Sequence, residues 1–215
     1  MEAWAVIVAA GTGTRFGSPK QFADLGGRPL VAWSLAVARR VCAGVVLVLP
    51  AADVQAGGAW EADADAVVAG GDTRSASVRA GLAAVPLSAA VIAVHDAARP
   101  LTRPALWRAV LDAVEAGADA AVPAVGLSDT VKEVGEDGRL VTLDRSRLVA
   151  VQTPQGFRAE ALRRAHLDGQ DATDDAALVE ALGGRVVLVE GSPDNLKVTS
   201  PTDLAVAAAL MGSGT

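Results

Sequence analysis

Short apolar runs recur along the chain, separated by segments in which apolar residues return every three or four positions. The runs are rich in β-branched residues and apolar on both alternating faces, which is typical of strands buried on both sides of a parallel sheet. They lie at 4–9, 45–50, 90–96, 119–125 and 185–191. Helical spacing is found at 29–40, 73–85, 103–117 and 173–182. This alternation predicts an α/β protein with a Rossmann-like, mostly parallel sheet and helices on both faces.

One segment, from Val125 to Thr153, breaks this alternation because it has no helical period. Two short stretches, DTVKEV and RLVTLD, flank the turn signal GEDG, a pattern that predicts a β-hairpin projecting from the sheet. An isolated hairpin is marginally stable in water, so we expect this β-arm, at about 126–150, to pack against another surface. A second subunit is the natural candidate.

Composition and charge narrow the class of protein. The 215 residues are 51% hydrophobic, which fits a single domain over residues 1–215. A net charge of −6 argues against a broad basic face for nucleic acid. No apolar run is long enough to span a bilayer, and the N-terminus has no basic region of the kind that begins a signal peptide. The single cysteine, Cys42, cannot form an internal disulfide. We therefore expect a cytoplasmic protein with neither nucleic acid nor membrane as a partner.

The loop after the first apolar run, AAGTGTRFGSPKQ at 9–21, contains three glycines. A dinucleotide fingerprint has the spacing G-x-G-x-x-G and opens directly into a helix, whereas here the third glycine comes late and a long loop follows. The P-loop signature is also absent. A phosphate-binding loop fits better, because glycines let backbone N–H groups approach phosphate oxygens while Arg15 and Lys20 add positive charge. Taken alone, the loop leaves open that both are solvated surface charges.

Other candidate residues follow the later strands. Asp96 ends the apolar stretch AVIAVHD, where a carboxylate is costly unless it binds a metal or pairs with a cation such as Arg99. His95 beside it is interpreted as a structural residue rather than a general base. The stretch GGDT suits a turn followed by a helix N-cap.

Eight stretches occur in an order that resembles the 2-C-methyl-D-erythritol 4-phosphate cytidylyltransferase family of the non-mevalonate isoprenoid pathway. They are AAGTGTRFGSPKQF, GGDTRSASVRAGL, VHDAARP, DTVK, LDRSRL, QTPQGF, TDDAALVE and DNLKVTSPTDL. The resemblance extends from Val6 to Leu204. It implies transfer of CMP from CTP to methylerythritol phosphate, with release of pyrophosphate, by direct in-line attack of the acceptor phosphate on the α-phosphorus.

The resemblance also implies a role for individual residues. Arg15 and Lys20 would be catalytic, Arg99 supporting, and Asp96 the ligand of a Mg²⁺ cofactor. The residues implied in CTP binding are Ala10, Gly11, Gly13, Gly71, Asp72, Ser77 and Asp96. The residues implied in holding the acceptor phosphate are Thr130, Arg145, Thr153, Thr173 and Lys197. Because Thr130 and Arg145 lie in the predicted arm, the family pattern has them reach the partner's active site, which implies a homodimer.

Three alternatives stay open from the sequence. A cytidylyltransferase for another polyol phosphate, such as ribitol 5-phosphate, would share the CTP half of the site. A nucleotide-binding module without catalysis would not need Arg15, Lys20, Asp96 and Lys197 together. A dehydrogenase is disfavoured by the spacing of the glycines.

Overall fold

The computed structural model describes residues 2–11, 13, 16–57, 60 and 62–212. The strands are β1 Ala3–Val8, β2 Asp24–Leu25, β3 Arg28–Pro29, β4 Gly44–Leu49, β5 Ala66–Ala69, β6 Val91–Asp96, β7 Ala120–Gly126, β8 Lys132–Val134, β9 Leu140–Thr142, β10 Val149–Val151, β11 Gln155–Arg158 and β12 Val186–Glu190. The α-helices are α1 Leu30–Val41, α2 Ala51–Ala56, α3 Arg74–Ala84, α4 Pro104–Glu115, α5 Ala159–Ala165, α6 Asp175–Ala181 and α7 Pro201–Gly212.

The central sheet has the strand order β10-β7-β11-β6-β1-β4-β5, and β12 pairs with β7. The strands β6, β1, β4 and β5 are parallel to one another, and β12 is parallel to β7. The predicted α/β class, with a mostly parallel sheet flanked by helices, is confirmed. The sequence pattern did not predict β5, at the edge of this sheet, or β11, which is inserted antiparallel between β6 and β7. The strand β10 runs antiparallel along β7.

Alternate residues of the buried strands face two different helical layers. Ala5 and Ile7 of β1 belong to the core shared with α1 and α4. Val6, between them, belongs to the opposite core, formed with α3, α5 and α6. A strand buried on both faces is therefore apolar throughout, as β4 is from Val45 to Leu49. Each fully buried aliphatic side chain of this kind contributes roughly 1.5–3 kcal/mol relative to exposure.

The helix α3 crosses the sheet at very short range because Gly81 has no side chain. A Cβ at Gly81 would lie 2.5 Å from Cγ1 of Val6 and 3.0 Å from Cγ2 of Val48. The helix therefore packs directly on β1 and β4. Its N-terminus lies beside the carboxyl ends of these strands, where parallel sheets bind ligands.

The segment predicted as an arm leaves the sheet after Gly126 and rejoins it at Val149. Between these points β8 and β9 form a two-stranded antiparallel sheet of their own, with Val134 opposite Leu140. Both of these side chains are more than 60% exposed. The hairpin thus presents two large apolar side chains to its surroundings, directly opposite each other. A role in dimerisation stays a prediction.

None of the helices in the described part of the chain is long and apolar enough to cross a membrane.

Candidate active site

A cleft of about 420 Å³ opens at the carboxyl ends of β1, β5 and β6. Its walls are residues 8–11 at the end of β1, 71–74 after β5 and 96–98 at the end of β6, together with side chains from outside the sheet. This is the edge at which ligands bind in open α/β sheets. Its position follows from the topology, because parallel strands bring their carboxyl ends to one side.

Residues predicted from distant parts of the sequence meet in this cleft. Those that line it are Ala10, Gly11, Lys20, Gly71, Asp72, Ser77, Asp96 and Lys197. Gly13 adopts a positive φ of 68°, and a Cβ there would lie only 2.0 Å from the backbone oxygen of Ser18. Arg15, predicted to be catalytic, lies outside the described residues. The structure thus assembles most of the predicted nucleotide half of the site, and the contacts of each residue with a ligand stay predictions.

The wall after β5 combines tight backbone packing with a helix cap. The hydroxyl of Thr73 accepts a hydrogen bond from the backbone N–H of Ala76, so Thr73 is the N-cap of α3. The Ser77 hydroxyl lies within hydrogen-bonding distance of the carbonyl oxygens of Thr73 and Gly71, at 3.0 and 3.3 Å. A Cβ on Gly71 would lie 2.6 Å from that of Ala76. The N-cap interpretation of GGDT is confirmed, and it leaves the backbone of this wall facing the cleft.

Asp96 lies between two cations at the centre of the site. Its Oδ1 is 3.1 Å from Nε of Arg74, and its Oδ2 is 2.5 Å from Nζ of Lys197. The residue is 8% exposed. Burial alone would raise the pKa of Asp96, but the charges of Arg74 and Lys197 outweigh it and hold that pKa well below its usual range. Asp96 is therefore an ionised carboxylate across the physiological pH range.

Arg99 is not the partner of Asp96, so the ion-pair alternative considered for these two residues is wrong. The guanidinium of Arg99 instead donates to the backbone oxygens of Asn195 and Val151, at 2.7 and 3.3 Å. Burial lowers the pKa of Arg99, and the nearby charge of Asp96 partly offsets this. The side chain ties the loop after β6 to two other segments, which is a supporting position.

His95 and Thr153 lie behind Asp96. The hydroxyl of Thr153 accepts the backbone N–H of Asp96 at 3.1 Å and lies 3.1 Å from Nδ1 of His95. Nε2 of His95 lies 3.2 Å from the carbonyl oxygen of Arg99. Because a carbonyl can only accept, Nε2 carries the proton and Nδ1 accepts from Thr153. Burial lowers the pKa of His95 to about 4, so this imidazole is neutral and structural, as predicted.

The predicted acceptor-binding residues are dispersed. Lys197 is in the cleft, whereas Thr153 is 5% exposed with its hydroxyl occupied inside the protein. Thr173 is exposed just before α6. Thr130 and Arg145 are exposed on the segment that leaves the sheet, where Arg145 donates to the carbonyl oxygen of Ser128. These last three do not line the cleft of their own chain.

Sequence reasoning missed a second layer of charges behind the cleft. Nη1 of Arg74 lies 2.8 Å from Oδ2 of Asp175, whose Oδ1 is 3.0 Å from Nε2 of His166. The arginine stands in GGDTR and the aspartate in TDDAALVE, two stretches that had already been singled out. Nothing in the sequence pairs them, because Arg74 and Asp175 are 101 positions apart.

The donor set of the cleft suits a metal held mostly by its substrate. No group of three or more His, Cys, Asp or Glu side chains that could hold an ion occurs in the residues the structure describes. Asp96 supplies a single buried carboxylate. Mg²⁺ is commonly held by one or two carboxylates, with substrate phosphates and water completing its octahedron. The residues present therefore fit Mg²⁺ bound together with a polyphosphate.

Comparison with known proteins gives consistent matches over nearly the whole chain. A family model for 2-C-methyl-D-erythritol 4-phosphate cytidylyltransferase matches residues 3–213. The chain is 46% identical over 213 residues to the enzyme of that name from Frankia casuarinae, covering 96% of this chain and 80% of that one. It is 47% identical over 216 residues to the one from Nocardia farcinica, covering 96% and 93%.

Solved structures give the same result. The 2-C-methyl-D-erythritol 4-phosphate cytidylyltransferase from Thermus thermophilus is similar with a TM-score of 0.81 and 40% identity, over 98% of both chains. The bifunctional IspDF from Campylobacter jejuni is similar with a TM-score of 0.82 and 27% identity. That match covers 95% of this chain and 54% of the other, so this chain spans about half of the bifunctional protein.

Proposed function

The chain belongs to the 2-C-methyl-D-erythritol 4-phosphate cytidylyltransferase family, and we propose that it transfers CMP from CTP to 2-C-methyl-D-erythritol 4-phosphate with release of pyrophosphate. It is accordingly an enzyme, a cytidylyltransferase. The observation that favours this reaction is the convergence of Lys20, Asp96 and Lys197 on one cleft at the carboxyl ends of the strands. Basic side chains can hold the phosphates of a nucleoside triphosphate, and a single carboxylate can hold the Mg²⁺ that accompanies them.

The chemistry needs positioning and charge rather than a nucleophilic side chain. An oxygen of the acceptor phosphate attacks the α-phosphorus of CTP, and the bond to the pyrophosphate oxygen breaks. Negative charge on the reacting oxygens is stabilised by fixed cations, which is how proteins catalyse phosphoryl transfer in general. Loss of one such contact costs on the order of 3 kcal/mol of barrier. We assign this role to Arg15 and Lys20.

No general base is required, because a phosphate monoester is already anionic near neutral pH. This agrees with the state of His95, which is buried, neutral and hydrogen-bonded on both ring nitrogens. Lys197 lines the cleft and is paired with Asp96. Once Asp96 binds Mg²⁺, the ammonium of Lys197 can hold the acceptor phosphate. The base of CTP is assigned to the wall formed by Gly71, Asp72 and Ser77, and its phosphates to the loop of Ala10, Gly11 and Gly13.

Mg²⁺ is proposed as the cofactor, with Asp96 as its protein ligand. When bound, it would neutralise part of the charge of the triphosphate. Asp96 can bind an ion only if one of its present partners, Lys197 or Arg74, gives up its contact with the carboxylate. The side chain of Lys197 is partly exposed and can move away.

A homodimer is proposed through the segment 126–150. Thr130 and Arg145 are exposed there and do not line the cleft of their own chain, so a role in binding the acceptor requires a second subunit. The exposed pair Val134 and Leu140 offers an apolar contact surface on the same segment. We also propose that the enzyme is a single domain and acts in the cytoplasm.

The test is pyrophosphate release from CTP and Mg²⁺ with methylerythritol 4-phosphate and ribitol 5-phosphate assayed in parallel. Turnover with the first acceptor alone is expected. Turnover with ribitol 5-phosphate alone would support the proposed CTP-binding residues and show that the proposed acceptor is wrong. Folded protein that binds CTP but turns over neither would indicate a nucleotide-binding module without catalysis.

A further inference from the structure

Asp175 is a completely buried carboxylate outside the cleft, with 0% of its surface exposed. Its two oxygens accept from Nη1 of Arg74 and Nε2 of His166. Since the carboxylate oxygen of Asp175 can only accept, Nε2 of His166 carries its proton. A carboxylate this deep is costly unless it is paired and hydrogen-bonded, and both partners supply such contacts.

Arg74 extends this buried pair to the surface of the cleft. Its guanidinium places Nη1 on Asp175 and Nε on Asp96, so a single planar group spans two carboxylates. The planar fork of arginine can do this, whereas the point charge of a lysine cannot hold both partners in a fixed geometry. A row of contacts thus extends from His166 through Asp175 and Arg74 to Asp96, the residue at the centre of the proposed site.

These contacts are not needed to cap the helices α3 and α6, on which Arg74 and Asp175 lie. The N-cap of α6 is Asp174, which accepts the backbone N–H of Ala177, and the N-cap of α3 is Thr73. Buried ion pairs are, moreover, poor contributors to stability, and apolar residues of similar volume often do as well. What an apolar replacement could not do is hold the guanidinium of Arg74 against the carboxylate of Asp96.

We propose that Asp175 and Arg74 are positioning residues for the transferase reaction: Asp175 fixes the guanidinium of Arg74, and Arg74 fixes the orientation of the Asp96 carboxylate in the cleft. The inference rests on the proposed function, in which Asp96 faces the triphosphate. Asp175 acts through Arg74 and does not itself touch the substrate. Its effect is therefore lost when Arg74 can no longer bridge the two carboxylates.

The test compares D175N, R74K and the double variant R74K/D175N with D65N as a matched control. Asp65 also pairs with an arginine, Arg39, and accepts a backbone N–H, that of Val45, but it lies outside the cleft. For each variant, kcat, KM for CTP, the thermal unfolding midpoint and the dissociation constant for CTP with Mg²⁺ are measured. R74K keeps the charge of a partly exposed side chain, so it serves as the test should D175N not fold.

We expect kcat/KM for CTP to fall by about 10- to 100-fold in D175N and in R74K, the range seen when residues that orient a ligand are changed. The double variant should fall no more than about threefold below R74K, because the two act as one unit. D65N should lower only the unfolding midpoint. Folded D175N or R74K with kcat/KM within about twofold of the unsubstituted protein, or losses that multiply in the double variant, would overturn the proposal.

The dissociation constant separates this inference from the proposed function. If the unsubstituted protein binds CTP without turnover, the proposed function fails, and the inference is then judged on CTP affinity. Weaker CTP binding in D175N and R74K but not in D65N would support it, and unchanged affinity would reject it. If the unsubstituted protein is active while D175N and R74K behave like D65N, the inference fails alone.

Discussion

The hydroxyl of Thr153 lies 3.1 Å from Nδ1 of His95. The same oxygen accepts the backbone N–H of Asp96, so a buried threonine joins an imidazole to the residue at the centre of the cleft. Both Thr153 and His95 are almost completely buried, at 5% and 0% exposure. Neither is free to meet a substrate in this arrangement, and their shared function is to hold the end of β6 in place.

The neutral state of His95 predicts a pH-dependent stability. Its pKa is about 4 in the folded protein, because burial disfavours the charged form, and about 6.5 in an unfolded chain. Between these values the unfolded state binds more protons, so the free energy of unfolding rises with pH and this contribution is lost as the pH falls from 6.5 to 4. The slope from one proton is about 1.4 kcal/mol per pH unit.

Urea unfolding of the unsubstituted protein and of His95→Gln, at half-unit steps from about pH 4 to 7, measures this slope. The unsubstituted protein should lose stability towards the acid end more steeply than the variant. Parallel curves would mean that His95 does not titrate in this way.

Removing the Thr153 hydroxyl should weaken catalysis through Asp96. In Thr153→Val the shape is kept, but the backbone N–H of Asp96 and Nδ1 of His95 lose their partner, and an unsatisfied buried group costs about 1–3 kcal/mol. We expect lower stability and lower kcat. Thr153→Ser, which restores the hydroxyl, should recover most of both. Steady-state kinetics and unfolding curves measure both effects. Equal kcat and equal stability in Thr153→Ser and Thr153→Val would show that the hydroxyl supports neither catalysis nor folding.

Gly13 is predicted to be intolerant of any side chain for a steric reason specific to its site. A Cβ would lie 2.0 Å from the backbone oxygen of Ser18, and φ is +68°. Gly17 has a similar φ of +84°, yet a Cβ there meets nothing within 4 Å. Gly17→Ala should therefore show only the left-handed backbone cost of roughly 1–2 kcal/mol.

Gly13→Ala should displace the loop and raise the dissociation constant for CTP at least about tenfold beyond that of Gly17→Ala. Isothermal titration of CTP into both variants measures the difference. Equal affinities would show that the backbone at Gly13 does not shape the nucleotide site.

The sequence was most informative where chemistry interrupts a regular pattern. Asp96 could be singled out because a carboxylate ends a largely apolar strand, and the hairpin of β8 and β9 because GEDG separates two short stretches without a helical period. The strand β11 could not be predicted, because Gln155–Arg158 is short and forms a strand only by pairing with β6 on one side and β7 on the other. The Arg74–Asp175 pair was invisible for a similar reason, because only the fold brings the two helix N-termini together.

The reactivity of Cys42 should be low. Burial raises the pKa of its thiol to about 12, so only about one thiol in 10⁴ is ionised at pH 8. A chromogenic disulfide reagent should therefore react slowly with the folded protein and rapidly in denaturant. Equal rates in the two conditions would contradict the protection of this half-buried side chain directly after α1.

The exposed cross-strand pair Val134 and Leu140 should be needed for dimerisation if segment 126–150 is the interface. A charge at the centre of an apolar contact is costly when buried, so Leu140→Glu should shift the protein towards monomer in sedimentation velocity. Leu87→Glu is the matched control, because Leu87 is 89% exposed and lies outside this segment. Since Thr130 and Arg145 are proposed to serve the partner's site, Leu140→Glu should also lower kcat/KM for the acceptor. If the unsubstituted protein is a monomer, or if the Leu140→Glu variant is still a dimer, the segment 126–150 is not the dimer interface.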